Sequence, residues 1–148
     1  MLQFPGAKKS EIWRTRMPYH VTMLYASLLG LLLIVLSWGV SKVRLRERVS
    51  LGAGEVSDLE SAIRAHGNFI EYVPFALVLL LLAESAGAQS WLLHALGGSL
   101  LAGRLLHAYG IRQPGSTNNY RKYGAALTWL MILLASLYNL ATRVGISL

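Results

Sequence analysis

Arg64-Ala-His-Gly-Asn68-Phe-Ile-Glu71-Tyr72-Val-Pro74-Phe75 runs without a break into Ala76-Leu-Val-Leu-Leu-Leu-Leu-Ala83, so a charged stretch stands at the mouth of an apolar segment. At about 100° per residue, Arg64, Asn68 and Glu71 fall within roughly 60° of one another on one side of a helix. A face carrying a guanidinium, an amide and a carboxylate does not sit against lipid, because each ionised group near the bilayer centre costs about 2.5 to 3.5 kcal/mol. The face must look into a bundle, a polar cleft or the headgroup zone. Polar residues at membrane depth are functional candidates first.

Outward from that stretch the chain is a membrane protein. It has 148 residues, 54% hydrophobic and 14% charged, with a mean hydropathy of +0.45, where soluble domains carry about a quarter charged residues. Val21–Ser41 and Gly124–Thr142 each offer roughly 20 residues without a charge and satisfy the length rule for a span. Tyr72–Ala83 and Ser90–Gly103 are compromised spans, the first polar at its start and the second followed by Arg104 and His107. The expected fold is all-α, a polytopic four-helix membrane bundle in a single domain over residues 19–148, preceded by an extension or leader over residues 1–18. Cysteine is absent, so disulfides, thiolate metal sites and a cysteine nucleophile are excluded, and any thiol chemistry must use a substrate's sulfur. The histidines form no metal-ligand spacing, and no metal or nucleic-acid partner is expected.

The net charge is +7, and its location carries more information than its sum. Lys42, Arg44, Arg46, Arg48 and Arg64 lie between the first and second spans, and Arg112, Arg121 and Lys122 between the third and fourth. The intervening loop has none. The positive-inside rule makes the basic side cytoplasmic and puts both termini outside, with Lys8, Lys9, Arg14 and Arg16 pulling the other way.

The first helix is predicted from Tyr19 to Arg48 and ends at Ser50-Leu-Gly-Ala-Gly54. Ser57-Asp-Leu-Glu60 has the spacing of a capping box and starts the second helix well before the membrane. Pro74 removes a backbone hydrogen bond and is predicted to kink that helix just past the polar stripe. Glu84–Gln89 reads as a tight polar turn, the third helix ends near Tyr109-Gly110, residues 113–119 form a loop, and Arg121 and Lys122 open the fourth helix. Small residues at four-residue spacing, Gly98 with Ala102, Ser99 with Gly103 and Ala26 with Gly30, allow close helix contact.

Arg64, Asn68 and Glu71 could serve merely as interhelical glue, since polar side chains bond across helices in bundles. Arg104 with His107 one turn on, Arg121 on the next helix and Arg44 at the end of the first bring further cations to the same membrane face. An excess of cations around one carboxylate points to an anionic ligand that also carries an amine. His66 lies about 160° from the stripe and reads as interfacial or interhelical; His94, beside Trp91, reads as an anchor.

At Arg64, Asn68, Glu71, Tyr72 and Pro74 the chain resembles the MAPEG family, the membrane-associated proteins in eicosanoid and glutathione metabolism. Ala102-Gly-Arg104-Leu-Leu-His107 and Arg121 follow in the expected order, and the resemblance covers about residues 20–143, closest to bacterial inner-membrane members. It implies homotrimers with glutathione bound between subunits near the cytoplasmic face. It also implies that Arg64, Asn68, Glu71, Tyr72, Arg104 and His107 hold the tripeptide, with Glu71 near its amino group and the arginines near its carboxylates. Arg121 and Arg44 match arginines of the catalytic apparatus, Arg121 the one associated with the thiol. Gly67 and Ile111 depart from the pattern: the first replaces a larger residue, the second falls where some relatives carry a ligand-binding tyrosine.

The function implied is a glutathione-dependent membrane transferase or peroxidase. Glutathione would be the co-substrate, acting on lipophilic electrophiles or lipid hydroperoxides arriving from the membrane lipid. A glutathione-binding protein without turnover and a structural or transport trimer are the alternatives.

Overall fold

A computed structural model describes residues 19–113 and 118–145, and the readings for residues 1–18 and for the middle of the 113–119 loop lie outside the described residues. Four helices follow one another: α1 (His20–Glu47), α2 (Ser57–Ser85), α3 (Ser90–Gly110) and α4 (Asn119–Arg143). Helices α1, α2 and α4 are each long and apolar enough to cross a membrane. The central pair is α2 and α3, each packed on all three other helices, while α1 and α4 flank them and do not pack on each other. That placement explains how α3 can carry Arg104 and His107: both are buried inside the protein.

The core is a column of Leu29, Leu36, Phe69, Val73, Leu80, Leu93, Leu96, Leu100 and Met131. Leu31, Ile34, Trp38, Trp129 and Leu133 point outward and are more than half exposed, as expected where the surrounding solvent is hydrocarbon.

Of the small-residue pairs, Ser99 and Gly103 make the closest helix contact. A Cβ on Gly103 would lie 2.9 Å from the Gly124 carbonyl oxygen and from Thr128 Oγ1, and one on Gly124 would lie 2.6 Å from the His107 backbone nitrogen. Ser99 adds a hydrogen bond from its hydroxyl to the Leu127 carbonyl, 3.1 Å. Gly30, by contrast, is exposed, with open space beside it.

One predicted cap and one predicted helix start are corrected. Ser57 is already helical and caps nothing; Val56 is the N-cap, its carbonyl accepting from Leu59 and Glu60 at 3.1 and 3.0 Å, while Asp58 and Glu60 supply the negative charge that a helix start favours. Helix α4 opens at Asn119, earlier than Arg121, because the Asn118 side chain accepts from the Arg121 backbone N–H at 3.0 Å. Helix α2 runs unbroken through Pro74.

Glu84, predicted only as part of a turn, is a long-range cap. Its carboxylate accepts from the backbone N–H groups of Val21 and Thr22 at 2.9 and 2.8 Å, satisfying the first turn of α1 from the end of α2. His20 Nδ1 stands 3.8 Å away. Glu84→Ala is expected to destabilise the protein by about 2 to 3 kcal/mol, the scale of losing charge-assisted hydrogen bonds at a buried site. Glu84→Gln should recover part of it. Unfolding midpoints in detergent measure both, and an unchanged midpoint in the alanine variant would show that the cap carries no stability.

Candidate functional site

The polar stripe of α2 forms one wall of a cleft of about 840 Å³, in the size range of small-molecule sites. From α2 come Arg64, Gly67, Asn68 and Glu71, extended toward the helix start by Glu60, Ser61 and Ile63; His107 of α3, Ile111 beyond it and Arg121 of α4 complete the lining. Five predicted site residues, Arg64, Asn68, Glu71, His107 and Arg121, are thus brought together from three helices. Glu60 was missed, although its place four residues before Arg64 puts it on the same helical face.

Arg121 is set at the cleft by a local device. Asn118 donates through Nδ2 to the Gly110 carbonyl and accepts through Oδ1 from the Arg121 N–H, tying the end of α3 to the start of α4. Gly110 permits this approach, since a Cβ there would lie 2.7 Å from both the Arg121 nitrogen and Asn118 Oδ1. The rings of Tyr109 and Tyr120 close the same corner edge-on, with centroids 5.1 Å apart.

Arg104 and Tyr72 stand behind the cleft wall. Arg104 is 3% exposed and donates from Nη1 to Asn68 Oδ1 at 2.7 Å and to the Asn68 carbonyl at 3.3 Å. Its guanidinium lies 5.7 Å from the centroid of the Tyr72 ring, a cation–π contact. Arg44 is not brought into this cleft. Its Nη1 donates to the carbonyls of Val49, Ser50 and Gly52, at 3.4, 3.3 and 2.9 Å, and closes the turn after α1.

The cleft lining sets Glu60 and Glu71 beside Arg64 and Arg121, so the excess of cations expected around a single carboxylate is not found there. Ion pairs among the described residues join Arg46 to Glu47 and Asp58, and His20 to Glu84. None includes Arg64 or Glu71. Both departures from the family pattern lie on the cleft wall, and Gly67 has nothing within 4 Å of where a Cβ would stand. The missing side chain therefore widens the cleft and serves no close packing within the chain.

Fold and site together define a four-helix membrane protein in which three of the helices converge on a charged cleft at one end of the bundle. The MAPEG family model matches residues 22–141. Two proteins, each called inner membrane protein YecN, from Escherichia coli strains K12 and O6:H1 (CFT073), are 46% identical over 120 residues, covering 81% of this chain and 90% of theirs. The chain belongs to the MAPEG family.

Proposed function

We propose that the cleft binds glutathione and presents its thiol to lipophilic electrophiles or lipid hydroperoxides, as a membrane transferase or peroxidase. The observation that carries this reading is the zwitterionic lining: Arg64 and Glu71, two turns apart on α2, have no ion-pair partner among the described residues. A ligand with carboxylates and an amine compensates both signs at once. The family supports the choice of tripeptide. The location we assign is a bacterial inner membrane, as the names of the YecN relatives suggest, with the site at the cytoplasmic side. The assembly we assign is a homotrimer: Arg64 and Glu71 are exposed on a single chain, so a neighbouring copy would shield them from lipid, and the number three is what the family resemblance implies.

Isothermal titration of glutathione into detergent-purified protein tests binding, and a conjugation assay with a lipophilic electrophile tests turnover. Saturable binding with no turnover would favour the non-catalytic alternative, for which Gly67 and Ile111, two cleft residues that depart from the family pattern, are the motive. Absence of binding would overturn the reading.

Arg121 is assigned the thiol. A free thiol has a pKa of about 8.5, so only a few per cent is thiolate at neutral pH, and a fixed guanidinium beside the sulfur favours the anion. A depression of one unit raises the thiolate fraction up to roughly tenfold. Arg121→Leu is therefore expected to move the appearance of thiolate absorbance in the bound complex to higher pH, with a smaller loss of tripeptide affinity. Arg121→Lys keeps the charge without the fork and should lie between. An ultraviolet pH titration that does not move in the leucine variant removes Arg121 from the chemistry.

A further inference from the structure

Arg104 presents a problem that packing alone does not resolve. It is a buried guanidinium with no carboxylate within ion-pair distance among the described residues, and its Nε is buried without a hydrogen-bond partner. A buried, unpaired cation with an orphan donor is costly, and an apolar side chain of the same volume would be cheaper for the fold. What the protein gains must lie in the partner it holds.

That partner is Asn68. Arginine is donor-only, so the bond of 2.7 Å from Nη1 determines which end of the amide faces it: Oδ1 turns inward, and Nδ2 is left for the cleft that Asn68 lines. A second bond to the Asn68 carbonyl, at 3.3 Å, holds the guanidinium against the same residue. Stacking on Tyr72 supports it from behind. Nδ2 itself makes no hydrogen bond among the described residues. The amide is thus presented to the cleft as a pair of N–H donors, polarised by a positive charge bonded to its oxygen.

We propose that Arg104 is a positioning residue and not a ligand contact: by locking Asn68 with its oxygen inward, it makes that point of the cleft accept only a hydrogen-bond acceptor. The proposal rests on the glutathione reading for the identity of that acceptor, one of the tripeptide's carboxylate or peptide carbonyl oxygens. Glu71, one turn along α2, offers the opposite polarity. The wall therefore reads as donor at Asn68 and acceptor at Glu71, which fixes the direction in which a peptide with distinct amine and carboxylate ends can lie.

Two measurements test this on the full-length protein in detergent. The first needs no ligand. The chain has four asparagines, so ¹⁵N-asparagine labelling gives four side-chain amide pairs, and that of Asn68 is the one missing in Asn68→Ala. Its protons are expected to exchange with water rapidly, whereas those of Asn139, whose Nδ2 donates to the Leu79 carbonyl at 3.0 Å inside the bundle, are expected to be protected. An Asn68 amide as protected as that of Asn139 would overturn the inward orientation of Oδ1.

The second is a double-mutant cycle read by glutathione titration. Arg104→Met should weaken binding about tenfold in the wild-type background and less than twofold in Asn68→Ala, because the arginine acts through the asparagine. Equal losses in the two backgrounds would overturn the positioning role, whether Arg104 touched the tripeptide directly or served only the fold. Asn68→Asp retains an oxygen for Arg104 but has no donor; it should stay folded and lose at least tenfold in affinity, and undiminished binding would equally overturn the proposal. Wild-type protein that binds no glutathione, yet shows the exposed Asn68 amide, would fail the glutathione reading and leave the donor polarity standing.

Discussion

Arg64→Ala is expected to weaken glutathione binding by roughly ten- to a hundredfold while leaving the protein folded. The size follows from what is removed: a hydrogen bond to a charged group contributes about 1.5 to 3 kcal/mol, and about 1.4 kcal/mol is a factor of ten in affinity. The folded state should tolerate the change because Arg64 is exposed on the cleft wall and has no ion-pair partner among the described residues. Isothermal titration reads the affinity and a detergent unfolding curve reads the fold. Equal affinity for variant and wild type would remove the α2 stripe from the binding site. Glu71→Gln should behave in the same way but discriminate differently, losing more against glutathione than against an analogue without the amine.

Gly124→Leu is expected to give the largest loss of stability. The obstruction at this position is main chain: a Cβ would lie 2.6 Å from the His107 nitrogen and 2.7 Å from the Gly103 carbonyl oxygen. No rotamer change relieves a clash with backbone, so α3 and α4 must separate. Overpacking a well-filled interior costs about 1 to 3 kcal/mol, and moving helices apart places this case at the upper end or beyond. Because His107 and Arg121 reach the cleft from these two helices, separation also spreads the site. Loss of glutathione affinity should therefore accompany the lowered unfolding midpoint, whereas Gly30→Leu, with open space around Gly30, should leave both nearly unchanged in the isolated chain. A Gly124→Leu protein as stable as wild type would show that the interface is more adaptable than its spacing suggests.

These cases show where sequence reasoning reached the structure and where it stopped. The stripe at Arg64, Asn68 and Glu71 was legible because helical periodicity is local: once the segment is helical, spacings of four and three put side chains on one face whatever surrounds them. The same rule, carried one turn back, would have included Glu60. The cap at Ser57 failed because a capping-box spacing does not determine which residue first turns helical, and here Val56 remained outside.

By itself the sequence determined the membrane class, the four helices to within a residue or two at most ends and the residues of the polar face, since hydrophobic run length and local spacing decide these, while the family was legible only through the resemblance of its motif residues. Only the tertiary structure decided that Glu84 caps α1 across 62 and 63 residues of chain. The same holds for Gly103 seated on Gly124, and for the separation of two arginines with similar sequence credentials into Arg104 beneath Asn68 and Arg44 around a turn. The physical reason is that packed helices decide which groups meet: buried polar groups such as the Glu84 carboxylate bond to whatever the packing brings near, small residues seat where two backbones approach, and both depend on three-dimensional distances that no spacing along the chain encodes.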